Sequence, residues 1–177
     1  MFLLYKRAGL LFAAFASLFF GALPATAAVE ISFYSRELGG NNFPHAFFTL
    51  KGQPDSGGPA VDRSFGFTAK AISPAILMGS VGGTVMNEPP EYVAKSDRHF
   101  SFRLTDEQYR AVMAKVEAWK AKSQPSYNLN RANCVHFVGE IARTAGLKVE
   151  FKPELMKKPR SFLLAVKAAN PQLPEKA

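Results

Sequence analysis

The chain has 177 residues, with 22 Lys and Arg against 14 Asp and Glu and a formal net charge of +8. The single cysteine excludes an internal disulfide framework. The positive charge is not gathered into an arginine-rich arm or an aromatic-interleaved basic stripe, which argues against a nucleic-acid partner.

Lys6 and Arg7 precede an uncharged run from Ala8 to Leu23, and Ala25-Thr26-Ala27 follows as a small-residue cleavage pattern. Residues 1–27 are therefore expected to be a signal peptide, cleaved after Ala27 or one residue later, and the protein to be periplasmic or secreted, with an uncleaved N-terminal anchor as the alternative. The apolar run of 16 residues is short for a membrane span. Residues 72–86 are fairly apolar, but Pro74, Gly79, Gly82 and Gly83 interrupt them. No cysteine near the cleavage site offers a point for lipid attachment. The mature chain, 28–177, carries 150 residues and a net charge of +6, enough for one domain with a real core. Its charge suits peripheral contact with an anionic envelope, and equally a solvated surface.

The first mature half reads as strands. Val29 to Tyr34 alternates apolar and polar residues, Gly39-Gly40-Asn41-Asn42 is a turn cluster, and His45 to Leu50 is a Phe-rich strand. A breaker at Pro54 to Pro59 precedes a third strand, Val61 to Ala69, pairing back on the second. Thr84 to Met86 and His99 to Leu104 read as further strands. The segment 72–90 is long for a connection and reads either as a lid or as a packed loop. In it Met78 and Met86 are expected to line a pocket or fill core gaps.

The second half reads as helical. Thr105 and Gln108 form a capping-box pattern, and Tyr109, Val112, Met113, Val116 and Trp119 make one apolar stripe, with Pro125 as the stop. A second helix runs from about Asn133 to Ala145, with Gly146 as its C-terminal stop. A short helix from Pro159 to Ala169 follows, within a basic extension that starts at about residue 148. Strands first and helices later predict an α+β fold, an antiparallel sheet packed against helices.

Cys134 falls at the start of the second helix, where free N–H groups and the macrodipole favour a thiolate. A nucleophilic thiol needs an imidazole beside it. Of the three histidines, His136 is two residues away on the same helix, about 200° round the axis, and is expected to pair locally with Glu140 or to bond a loop. His99 reads as a sheet-edge residue, and His45 opens a strand that could lie beside the helix start. No metal is implied: there is no Cys-x-x-Cys pair, and Cys134-x-His136 puts its two side chains on different helix faces. No cofactor is implied either.

Asn133-Cys134-Val135-His136-Phe137-Val138 resembles the Asn-Cys-x-His-Phe-Val motif of the lecithin retinol acyltransferase-like proteins. These form the circularly permuted branch of the NlpC-like, papain-fold superfamily. In that branch a strand carrying the catalytic His precedes the helix carrying the catalytic Cys. Pro44-His45-Ala46-Phe47-Phe48-Thr49-Leu50 followed by the Cys134 helix repeats that order, and Tyr127-Asn128-Leu129 is similar to the approach segment of bacterial members. The resemblance covers roughly residues 29–147. It implies a circularly permuted papain-like fold with Cys134 as nucleophile, His45 as base and the Cys134 N–H as an oxyanion donor. A third polar residue is expected on the strand after the His strand, where Asp62, Ser64 and Thr68 stand open as choices. Many acyltransferase members carry a second His there, and this chain has none.

Three functions follow as expectations. The first is an exported cysteine hydrolase of amide or ester bonds, working through a Cys134 thioester on cell-wall peptides of peptidoglycan. The second is a lipid acyltransferase or thioesterase on the same fold. The third is a catalytically weak envelope-binding protein.

Overall fold

The computed structural model of the chain describes residues 28–37 and 43–174. The expected signal segment 1–27 and the turn expected at 39–42 lie outside the described residues. Five strands, β1 (Val29–Arg36), β2 (His45–Gly52), β3 (Val61–Ala69), β4 (Gly83–Met86) and β5 (Asp97–Leu104), form one sheet in the order β4-β3-β2-β1-β5. Every pairing is antiparallel. Among the described residues five α-helices accompany the sheet, α1 (Ala75–Met78), α2 (Pro90–Ala94), α3 (Asp106–Lys120), α4 (Cys134–Thr144) and α5 (Pro159–Ala168), with one 3-10 turn at Pro153–Leu155. The protein is thus α+β, with an antiparallel sheet packed against helices.

The pleat gives the sheet two faces. Ile31, Phe33, Ala46, Phe48, Leu50, Phe65 and Phe67 are buried in the main core with α3, α4 and α5. Phe48 meets Phe65 at 5.3 Å and Phe137 of α4 at 5.7 Å, and Phe67 meets the Trp119 ring edge-on at 4.7 Å. Each such ring stabilises the fold by about 1.5–3 kcal/mol through the apolar area it removes from water. The opposite face carries Tyr34, His45 and Phe47. Tyr34 stacks on Phe47 at 5.1 Å, and Tyr92 of α2 packs on the same ring at 5.7 Å.

The capping box of α3 is formed as the sequence implies, with Gln108 N–H donating to Thr105 Oγ1 at 3.2 Å and Thr105 N–H to Gln108 Oε1 at 2.9 Å. Gln108 Nε2 also donates to the Ala145 carbonyl at 2.9 Å, tying the end of α4 to the start of α3. Since α3 follows β5, and Leu104 of β5 pairs with Val29, this is the rim where β1 begins. The other end of α4, about 15 Å away along the helix, reaches the rim where β1 ends and β2 begins. Cys134 is thereby delivered to His45, whose register partner at that rim is Arg36.

Several local expectations are corrected. Helix α3 ends at Lys120, well before Pro125, with Ala121 as its C-cap. Met78 is 89% exposed and Met86 38% exposed, so neither fills the core. Met78 sits on the single turn α1, which buries no residue, and Met86 ends the edge strand β4. The later part of the 72–90 segment is tied down: β4 pairs with β3, and Val81 exchanges backbone bonds with Tyr127 at 2.9 Å. The basic segment after residue 148 folds back, burying Phe162, Leu163 and Val166 of α5. Among the described residues no helix is long and apolar enough to cross a membrane.

Candidate active site

Asn133 builds the start of α4. Its Oδ1 accepts from Val135 N–H at 2.9 Å, His136 N–H at 3.2 Å and His136 Nδ1 at 2.9 Å. Its Nδ2 donates to the carbonyls of Leu129 at 2.8 Å and Met156 at 2.7 Å. One side chain therefore caps the helix, pins the preceding loop and fixes His136. The cap consumes two N–H groups of the first turn. The Cys134 N–H is left without a partner among the described residues. The first turn of α4 holds no acidic residue, so the helix itself leaves the positive end of its dipole uncompensated.

Cys134 is buried, 6% exposed, and its thiol lies beside His45, close enough to favour the imidazolium through hydrogen bonding and charge. On its far side the imidazole meets Glu88, Nε2 to Oε1 at 3.0 Å, with the two side chains 13% and 5% exposed. A carboxylate only accepts, so Nε2 carries a proton and Nδ1 is the nitrogen that can exchange one with the thiol. Burial disfavours the imidazolium, but the hydrogen bonds to Cys134 and Glu88 and their negative charges outweigh it. His45 is pushed up from 6.5 to about 10.

Glu88 is itself gripped by β3. Ser64 Oγ accepts from the Glu88 N–H at 2.6 Å and donates to its carbonyl at 3.0 Å, while Ser64 N–H donates to Asn87 Oδ1 at 3.0 Å. The imidazole and carboxylate meet over Gly66 of β3, the register partner of Phe47. A Cβ at Gly66 would collide with both His45 Nε2 and Glu88 Oε1. The strand backbone passes directly under the contact, and only glycine leaves room for it.

The expected third residue is corrected accordingly. Asp62 is exposed and paired with Lys51 at 3.4 Å, and Thr68 lies opposite Thr84 in the sheet ladder. Ser64 holds the backbone of Glu88 and makes no hydrogen bond to His45. Glu88 went unnoticed although it has a sequence signal: it is the only charged residue in 71–90. A single carboxylate in a Gly- and Pro-containing apolar stretch needs a partner if it is buried.

The other histidines are engaged elsewhere. His99 is buried on the edge strand β5, with Nε2 2.8 Å from Ser35 Oγ. His136 is not paired with Glu140, which instead accepts from Trp119 Nε1 at 2.9 Å and faces Lys115 at 3.8 Å. Burial pulls His136 below its ordinary value; Glu140 opposes this and the Lys122 charge adds to it. Two phenols feel the thiol. Burial raises Tyr127, with the Cys134 charge second. Burial also raises Tyr92, followed by Glu88, with Arg36 opposing. Among the described residues, no three His, Cys, Asp or Glu side chains are grouped to hold a metal ion.

No family model, curated protein or solved structure matches this chain. Its chemistry is therefore read from geometry: a thiol, an imidazole and a carboxylate in sequence, with a free N–H at the thiol's own backbone. That arrangement can generate a sulfur nucleophile, stabilise an oxyanion and return a proton to a leaving group.

Proposed function

We propose that this chain is an exported cysteine hydrolase that cleaves amide or ester bonds, with cell-wall peptides of peptidoglycan as the leading substrate. The observation that carries the reading is the continuous Cys134–His45–Glu88 line. The motif around Cys134 and the His-strand-before-Cys-helix order support a circularly permuted papain-like fold as its frame.

In the proposed reaction His45 takes the Cys134 proton and sulfur attacks the carbonyl carbon. The oxyanion accepts from the Cys134 N–H at the positive end of α4. The imidazolium then gives its proton to the leaving nitrogen or oxygen as the thioester forms. Water, deprotonated by His45, attacks the thioester, and the acid leaves as the thiol is restored. Glu88 holds the ring in the productive tautomer and stabilises its charged form throughout, as the third member of such triads does.

Two rival readings are weaker. The side chain that meets the thiol is His45, backed by Glu88 and paired across the strands with Arg36, a polar set that favours a polar substrate over an acyl lipid. The envelope-binding reading drew on the missing second His, and Glu88 supplies the imidazole partner that His would have provided. Incubation of the mature protein with peptidoglycan stem peptides should release new amino termini. Cys134→Ala should abolish that release while leaving the thermal melt nearly unchanged. Retained turnover in this variant would refute the thiol mechanism.

A further inference from the structure

The far side of His45 from β3 is occupied by Arg36, the last residue of β1 and the register partner of His45. Directly opposed residues of an antiparallel pair point to the same face, with Cβ atoms roughly 5 Å apart. The Arg36 guanidinium lies over the Tyr92 ring at 4.5 Å, and that ring is wedged against Phe47 at 5.7 Å. The contact holds the guanidinium at the ring without using its N–H donors. Among the described residues Arg36 forms no ion pair and no side-chain hydrogen bond, whereas Arg143 donates to the Val149 carbonyl and Arg160 pairs with Asp97. The buried carboxylate of this neighbourhood, Glu88, is already committed to His45. Tyr92 feels the charges of both Glu88 and Arg36, so the ring that carries the guanidinium also borders the His45–Glu88 pair.

A half-buried, pre-oriented guanidinium with open donors, opposite the histidine that meets the thiol, is a receptor for a planar anion. We propose that Arg36 anchors a carboxylate on the substrate, so that Cys134 acts on acyl groups whose reacting carbonyl lies a few bonds from a negative charge. The substrate class is thus a peptide-like amide or ester with a free carboxylate beside the scissile bond. This rests on the cysteine-hydrolase reading and adds to it a specificity-determining residue.

The test compares two alkylating probes of the same shape, iodoacetate and neutral iodoacetamide. In both cases the Cys134 sulfur bonds to the methylene carbon as iodide leaves. At pH 7 and low salt, the iodoacetate-to-iodoacetamide rate ratio of the mature protein should exceed that of N-acetylcysteine by about tenfold, the value of one charge-assisted contact. Arg36→Gln should return the ratio to that of the free thiol, and Arg36→Lys should keep an intermediate ratio. Arg110→Gln, on α3 near the far end of α4, should leave it unchanged and so controls for net charge. The inference is overturned if Arg36→Gln leaves the ratio unchanged, or if both rates fall together, which would make Arg36 a structural residue. Failure of the underlying reading looks different: slow iodoacetamide alkylation that does not respond to His45→Ala.

Discussion

His45 and His136 both border the first turn of α4, yet they are set in opposite electrostatic states. His136 is the nearer to Cys134 in sequence, but its Nδ1 is spent on the Asn133 cap, its ring stacks on Phe151 at 6.2 Å, and its pKa is lowered. His45 comes from a strand 89 positions earlier, touches the thiol, and is raised to about 10. Both rings are partly buried, so burial alone does not divide them. The partners do: at His45 the thiol and the Glu88 carboxylate outweigh burial, whereas at His136 burial prevails over Glu140, with the Lys122 charge adding to it. Proximity in sequence to a nucleophile therefore says little about which histidine serves it.

The largest effect that sharpens this contrast is the pair of single substitutions. His45→Ala should lower kcat about 1000-fold, the scale of losing a general base. His136→Ala should leave kcat within a few-fold and cost about 1 kcal/mol of stability through the lost cap bond, read by denaturant unfolding. Equal kinetic losses would erase the distinction. Gly66→Ala should be next. Its methyl group drives the imidazole and carboxylate apart, and a displacement of this kind costs on the order of 100-fold in turnover. A crystal structure of that variant should show the His45–Glu88 contact broken.

Glu88→Gln should have a smaller effect, about 10- to 100-fold in kcat, because the amide still accepts from Nε2 but no longer opposes the imidazolium charge. Proton NMR should show His45 titrating at lower pH in this variant, with His136 unmoved. The sign for stability follows from the same shift. The folded pKa of His45 lies above its unfolded value of 6.5, so its contribution is full below pH 6.5 and is lost as pH rises through about 10. His136 runs the other way: its folded pKa is lowered, so its contribution is present above pH 6.5 and is lost as pH falls through the folded value.

Much of the frame was legible because it rests on local rules. Alternation in Val29 to Tyr34 and His99 to Leu104, the Thr105–Gln108 capping box and the Gly146 stop all act within a few residues. Helix α4 ends as read, with Gly146 at a φ of +97°. Cys134 and His45 were also legible, from a cap position and a strand start. Glu88 was not, because its role depends on a contact 43 residues away and on the absence of a side chain at Gly66. Ser64 stood among the residues considered but for the wrong task, since a serine that bonds a backbone looks the same in sequence as one that bonds an imidazole. Arg36 likewise gains its meaning only from strand register and the Tyr92 ring.

The central claim is that His45 activates Cys134, and the direct measurement is the pH dependence of Cys134 alkylation by iodoacetamide in the native protein and in its His45→Ala variant. The account predicts rapid alkylation at pH 6–7 in the native protein and loss of that reactivity in the variant. A thiol that reacts only in the ordinary cysteine range, around pH 8.5, at the same rate in both proteins, would contradict it.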